Sequence, residues 1–260
     1  MAREYITLKV KRQDNPKSAP YWEEFKIPYR PNMNVISTLM EVRKNPVNSK
    51  GQKTSAPVWE CNCLEEVCGA CTMVINGVPR QSCAALIDKL PDGVVTLEPL
   101  SKFPIVRDLI VDREKMFENL KRVKAWNEVD GSWNLGRGPR FRETDRQWAY
   151  VISKCMTCGC CTEACPNFNE KASFVGPFAI AQVRNHNIHP IGDQTKEMRL
   201  DALLEEGGIA DCGNSQNCVR VCPKHIPLTT HIAAMNRDTT LYSISRWLKK
   251  GAEAAVETAG

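Results

Sequence analysis

The chain has 260 residues, 42% hydrophobic and 25% charged, the balance of an ordinary soluble globular protein long enough for two domains. Its net charge of +5, from 35 basic and 30 acidic residues, is too mild for a nucleic-acid binder, and no basic run is long enough to grip phosphates. The start, MAREYITLKVKRQ, lacks the apolar core of a secretory signal, and no run of 18 apolar residues exists, so the expectation is a cytosolic chain whose 13 Cys serve metal and not disulfides.

Residues 5–13 alternate, with Ile6, Leu8 and Val10 on one face, and Trp22, Phe25, Ile27 and Tyr29 form a less regular second run. Both predict strands, with a turn at Asn15–Pro20 between them. Asn34 is placed to cap a helix over Val35–Lys44, with Val35, Ile36, Leu39 and Met40 inward. Further short strands are predicted at Thr72–Asn76 and Val94–Leu97, which together make a small α+β domain with a mixed sheet.

Cys63, Cys68 and Cys71 form C-x4-C-x2-C, and Cys83 follows after eleven residues. This is the plant-type [2Fe–2S] spacing with its distal fourth ligand. Gly69, without a side chain, lets the backbone approach inorganic sulfide. Cys61 would break the spacing to x6 and reads as a small buried residue.

Pro99 and Pro104 punctuate the end of this domain, and the boundary is expected near residue 105. Val106, Leu109, Ile110, Arg113, Met116, Phe117, Leu120 and Val123 then recur at helical spacing. Trp126–Trp148 reads as a surface loop with a solvated Arg cluster (Arg137, Arg140, Arg142 and Arg146). Its Gly136 and Gly138 lack the third Gly and the preceding strand that a dinucleotide fingerprint needs.

Lys154–Pro166, KCMTCGCCTEACP, contains C-x2-C-x2-C-x3-C-P in Cys155, Cys158, Cys161, Cys165 and Pro166. Three thiolates of such a run hold one cube and the fourth reaches a second cluster. Soft thiolates suit iron and sulfide. A zinc site needs only two C-x2-C pairs and would leave the protein colourless. Cys212, Cys218, Cys222 and Pro223 repeat the pattern with Ser215 in place of the second Cys. By the exchange rule of two-cluster ferredoxins, Cys155, Cys158, Cys161 and Cys222 hold a [4Fe–4S] cube. Cys165, Cys212 and Cys218 remain, one thiolate short of a cube, and the simplest outcome is [3Fe–4S]. A Ser215 alkoxide is a weaker alternative, because a hydroxyl ionises far less readily than a thiol. Cys160 reads as packing.

Phe178–Arg184 and Asp193–Glu206 are predicted helices, with Asp193 as a cap of the second. Leu228–Arg237 and Leu241–Lys250 are two more. Trp247 with Lys249 and Lys250 suits a membrane surface, but an amphipathic helix more often packs on its own protein. Residues 251–260 are expected to be a disordered tail. None of the four His is expected to lie in a buried bundle that could hold haem.

One plant-type cluster, one cube and one Ser-interrupted cube, in that order, resemble the iron–sulfur subunit of succinate:quinone oxidoreductase and fumarate reductase over Tyr5 to about Lys250, and PIVRDLIVD at 104–112 is similar to that family's inter-domain segment. The resemblance implies an N-terminal β-grasp ferredoxin domain (1–105) and an all-α bacterial-type ferredoxin domain (106–250). It implies a flavoprotein partner that carries FAD and oxidises succinate, in the tricarboxylic acid cycle, and a cytochrome b membrane anchor with haem b and quinone. The chain would sit peripherally on the cytoplasmic face of the cell membrane and pass electrons from [2Fe–2S] through [4Fe–4S] and [3Fe–4S] to quinone. No catalytic residue is expected, since the sequence holds no flavin or dicarboxylate site. Related subunits of glycolate or heterodisulfide enzymes carry two complete cubes, against which Ser215 argues. Ubiquinone-reducing members have a His after the first Cys of the last run and Trp after the first CP. Here Gly213 and Asn167, Phe168, Asn169 and Glu170 stand there, which points to a dihaem, menaquinone-linked complex of the Gram-positive kind.

Overall fold

A computed structural model describes residues 4–91, 93–128, 140 and 142–259. Gly136, Gly138 and Arg137 lie outside them. The chain forms two compact units. The first comprises Met1–Lys115, Met156–Ala164 and Arg220–Pro223; the second holds Met116–Cys155, Cys165–Val219 and Lys224–Gly260. The first unit's long run thus extends past the boundary expected near residue 105.

In the first unit, β1 (Tyr5–Arg12), β2 (Tyr21–Pro28), β3 (Thr72–Ile75), β4 (Val78–Gln81) and β5 (Val94–Glu98) build one sheet in the order β2-β1-β5-β3-β4. β1 runs antiparallel to β2, with Leu8 opposite Phe25, and parallel to β5, with Leu8 opposite Val95. Ile6, Leu8 and Val10 are fully buried, as their alternation predicts, and pack with Phe25, Ile27, Val95 and Leu97. Trp22, the irregular member of the second run, is 44% exposed. It has the opposite parity to Phe25 and Ile27, and Lys9 Nζ sits 5.3 Å from its ring.

Helix α1 (Val35–Lys44) has the bounds read from the sequence, with Asn34 and Ser37 forming a reciprocal capping box. Val35, Ile36, Leu39 and Val42 are buried, whereas Met40, expected inward, is 39% exposed. Asn34 also ties the cap to the fourth Cys of the first motif, donating from Nδ2 to the Cys83 carbonyl at 2.9 Å. Strand β4 was not separable in the sequence because Pro79 interrupts it. Pro is tolerated there because β4 is an edge strand. The β3–β4 hairpin turns through Asn76 and Gly77, both at positive φ.

The helix expected from Val106 begins only at Glu114, as α2 (Glu114–Arg122). Residues before it form a hairpin, β6 (Ile105–Arg107) and β7 (Ile110–Val111). Its turn residue Asp108 is fully buried, at φ 47°. The carboxylate accepts from Arg12 Nε at 2.9 Å, Gln13 N at 3.1 Å and Val58 N at 2.9 Å. Arg12, equally buried, also pairs with Glu23 at 2.5 Å. Burial of both charges is tolerable because nearly every lone pair and proton is used.

The second unit is built on α3 (Glu143–Ser153), α5 (Pro177–Ile188), α6 (Pro190–Asp193), α7 (Lys196–Leu204), α8 (Asn217–Arg220) and α9 (Leu228–Ala259); the short α4 (Cys160–Glu163) belongs to the first unit. No strand is found in the second unit among the described residues. Helix α5 opens with Pro177 in its first turn, where the missing N–H costs nothing. Phe178, Ala179, Ile180, Ala181 and Val183 are buried as it packs against α3, α7 and α9.

Asp193 does not cap the following helix. It ends α6, and Thr195 precedes α7. The two helices expected after Pro227 are one, α9, which continues through the residues expected as a tail. Nothing between Arg237 and Leu241 breaks it, since Asp238, Thr239 and Thr240 lack the Gly or Pro that would. Leu241, Ile244, Trp247 and Leu248 of α9 are exposed, Trp247 at 74%, so this face is not packed on its own protein.

His231 on α9 is fully buried. Its Nδ1 lies 2.7 Å from Arg184 Nη1, and its ring meets Trp148 edge-on. Burial first, and the Arg184 charge second, push it down to about 4 from an ordinary 6.5. The unfolded chain binds this proton more tightly, so the group's contribution to stability is complete above pH 6.5 and is lost as pH falls toward about 4. Denaturant unfolding across that window is expected to show the wild type losing stability with acid and His231→Gln losing less.

Candidate iron–sulfur centres

The first Cys motif lies on a loop between α1 and β3 that is folded around its sulfurs. Leu64, Glu66 and Gly69 all have positive φ, at 63°, 58° and 74°. Alternating left-handed residues turn successive N–H groups to one side, making an anion-binding concavity. Cys63 Sγ accepts from the backbone N–H of Glu65 at 3.5 Å, Val67 at 3.3 Å and Cys68 at 3.3 Å. Cys83 Sγ accepts from Glu66 N at 3.3 Å, and Cys68 Sγ from Ala70 N at 3.5 Å. The loop is pinned from outside by Arg113, which donates to the carbonyls of Gly69 at 2.8 Å and Ala70 at 3.2 Å and pairs with Glu60 at 2.6 Å.

The electrostatics of the four thiols differ. The Glu65 and Val67 N–H groups hold Cys63 down to about 7, the anion-favouring end. Burial pushes Cys71 up to about 12. Cys71 and Cys83 pack with Ile36 and Trp59, and Trp59 Nε1 is buried without a hydrogen-bond partner. Thiolates, N–H donors aimed at sulfur, and a spare indole donor beside them fit a cofactor that is itself rich in sulfide. Among the described residues no three His, Cys, Asp or Glu side chains are gathered tightly enough to hold one metal ion.

The two later Cys runs share a backbone, not only a spacing. After Cys155 come Thr157 at φ 51°, Gly159 at φ 92° and a helix starting at Cys160. After Cys212 come Asn214 at φ 50°, Gln216 at φ 61° and a helix starting at Asn217. The second loop takes its left-handed turn at Gln216, where the first uses Gly159, a strained choice for a residue with a side chain. Ser215 therefore occupies the place of Cys158 in conformation as well as in sequence. It is exposed, whereas Cys158 is buried. Cys158, Cys161 and Cys222 lie in the first unit and Cys155 in the second. Cys165, Cys212 and Cys218 are all in the second unit, where burial raises Cys218 to about 11.

Cys61 is exposed and not the buried residue expected; it precedes the wrapped part of the loop. Cys160 is buried, as its packing role predicts, but it also accepts from Gln81 Nε2 at 3.7 Å. Gln81, Thr72, Trp59 and Arg113 surround the first motif without a sequence signal. Trp59, Thr72 and Gln81 lie near the Cys along the chain and Arg113 further on, but no fixed spacing marks any of them. Gly69 has a second function beyond its φ: a Cβ there would come within 2.9 Å of both Cys158 Cβ and the Met156 carbonyl oxygen. The loop of the first motif and the second motif's Cys158 thus share a wall.

Residues 7–118 match the family described as 2Fe-2S iron-sulfur cluster binding domain, and residues 151–226 the 4Fe-4S dicluster domain. The succinate dehydrogenase iron-sulfur subunit of Bacillus subtilis is 64% identical over 91% of this chain and 93% of its own length. The chain belongs to the family of succinate dehydrogenase iron–sulfur subunits. The fumarate reductase iron-sulfur subunit of Wolinella succinogenes is 30% identical, over 89% of this chain and 96% of that one. In fold, a chain of the Mycobacterium smegmatis Sdh1 complex in the apo form aligns with TM-score 0.77 and 24% identity, covering 92% of this chain and 96% of that one. A succinate dehydrogenase iron–sulfur subunit thus carries the 2Fe–2S domain first and the 4Fe–4S domain second, as the Cys spacings predict. Gly69→Ala should cost about 1–2 kcal/mol for the left-handed conformation alone, with the clash at Cys158 added. Expression of this variant is expected to yield protein depleted in [2Fe–2S], read as iron and sulfide per chain and as lost visible absorbance.

Proposed function

We propose that this chain relays single electrons within a membrane-bound succinate dehydrogenase, from a flavoprotein subunit that oxidises succinate to a quinone at a cytochrome b membrane anchor. Cys63, Cys68, Cys71 and Cys83 hold [2Fe–2S] on a β-grasp domain. Cys155, Cys158, Cys161 and Cys222 hold [4Fe–4S], and Cys165, Cys212 and Cys218 hold [3Fe–4S], on an all-α ferredoxin domain. When bound, these clusters supply one-electron redox chemistry. The protein's own share is ligand identity, N–H donors to sulfur, and burial. The observation that carries this reading is the repeated loop backbone with Ser215 in the place of Cys158. A loop built to the shape of a cube site but one thiol short is suited to a trinuclear cluster.

Among the described residues no helix is long and apolar enough to cross a membrane. The exposed apolar face of α9, at Leu241, Ile244, Trp247 and Leu248, supports peripheral attachment through the anchor. That anchor would carry haem b, and the flavoprotein FAD, on the cytoplasmic face of the membrane. The same relay run backwards would serve fumarate reduction. Identity of 64% to a succinate dehydrogenase subunit against 30% to a fumarate reductase subunit favours succinate oxidation.

Gly213 and Asn167, the two places where residues typical of ubiquinone-reducing members are missing, face each other: a Cβ on Gly213 would lie 3.0 Å from Asn167 Oδ1. Asn167 Nδ2 donates to the Asp211 carbonyl at 2.8 Å. Menaquinone in a dihaem anchor is the reading this supports.

Electron paramagnetic resonance with redox titration of the purified complex is expected to resolve three centres, one trinuclear. Ser215→Cys should abolish the oxidised trinuclear signal and replace it with that of a reduced cube. Retention of the trinuclear signal with four thiols present would sink the ligand assignment. In turnover with succinate, a menaquinone analogue should be reduced efficiently and a ubiquinone analogue poorly.

A further inference from the structure

The Gln81 side chain stands between two thiols of different motifs. It is almost wholly buried at the end of edge strand β4. Its Oε1 accepts from Cys71 Sγ at 3.5 Å. Its Nε2 donates to Thr72 Oγ1 at 2.6 Å and to Cys160 Sγ at 3.7 Å. Thr72 Oγ1 in turn donates to the Gly69 carbonyl at 2.8 Å. Every member of this group lies in the first unit.

That arrangement needs a proton on Cys71. A cysteine that binds metal has lost it, and its sulfur can only accept. Oε1 would then face a thiolate, two acceptors opposed in a buried site where such a mismatch is costly. The oxygen and nitrogen ends of an amide are nearly the same size. A half-turn about Cγ–Cδ exchanges them without moving another heavy atom. Nε2 then points at Cys71, and Oε1 at Thr72 and Cys160. Both of these own a rotatable hydrogen to donate. Thr72 can release the Gly69 carbonyl, because Arg113 Nη1 already donates to it at 2.8 Å. The amide oxygen and the N–H facing Cys71 then both have partners.

We propose that, with a cluster on Cys71, the Gln81 amide lies with Nε2 toward Cys71 and donates an N–H to its sulfur. Gln81 is then a positioning residue that sets the potential of the [2Fe–2S] site, since a donor to cluster sulfur stabilises the more negative reduced form. The proposal rests on Cys63, Cys68, Cys71 and Cys83 being the [2Fe–2S] ligands.

The test is the midpoint potential of each centre in the intact complex, followed by electron paramagnetic resonance. Gln81→Leu is expected to keep the [2Fe–2S] signal and lower its potential, leaving the [3Fe–4S] potential unmoved. In the unturned orientation the same variant removes an acceptor facing the thiolate, so a raised or unchanged potential overturns the proposal. A second measurement needs no variant. In wild-type complex with heavy-nitrogen-labelled glutamine side chains, pulsed resonance of the reduced [2Fe–2S] centre should detect a coupled amide nitrogen, and no coupling would overturn it. A wild-type complex with no [2Fe–2S] signal at all would overturn instead the cluster assignment beneath it.

Discussion

The aim of backbone N–H groups at cysteine sulfur is the constraint on which the rest of this structure depends. Five such bonds, to Cys63, Cys68 and Cys83, exist only because Leu64, Glu66 and Gly69 hold the loop in left-handed conformations. Two of those three residues bear side chains and adopt positive φ at a cost. Elements around the loop offset that cost by locking its ends. Arg113 grips its carbonyls, Asn34 ties the α1 cap to Cys83, and Ser82 Oγ donates to the Cys71 carbonyl at 2.8 Å. The sheet and helix are the frame that keeps these anchors in register.

A second fixed point is the buried Arg12–Asp108 pair. It joins the end of β1 to the hairpin at Ile105–Val111 and, through Val58, to the segment leading into the cluster loop. Removing one partner of such a pair typically costs about 3–5 kcal/mol, because the other charge is left buried and unpaired. Charge is thus used here for placement, in a part of the chain where the short strands β6 and β7 could not hold themselves.

The cluster-bearing segments were legible in the sequence because thiolate spacing is a local property, dictated by the geometry of the centre it wraps. The strand alternation of β1 and the cap of α1 were legible for the same reason. What escaped was decided by partners far along the chain. Val106, Leu109 and Ile110 have helical spacing, but the Asp108 carboxylate, held by Arg12, makes them a hairpin. Met40 matches the apolar stripe of α1 but faces out. Gln81 and Trp59 carry no motif, and only the fold brings them to Cys71. The exposed face of α9 could not be told from a packed one, since both have the same period.

The first unit is assembled from three separate stretches, the last of them Arg220–Pro223. A ribosome must therefore release more than four-fifths of the polypeptide before this unit can close. Its sheet can form early, but part of its sulfur-bearing wall arrives late, so pairing across long sequence separations makes maturation slow. The thiols of the earlier stretches lack their later neighbours during that interval. Closure of this unit therefore follows synthesis of Cys222 and cannot keep pace with the folding of the sheet.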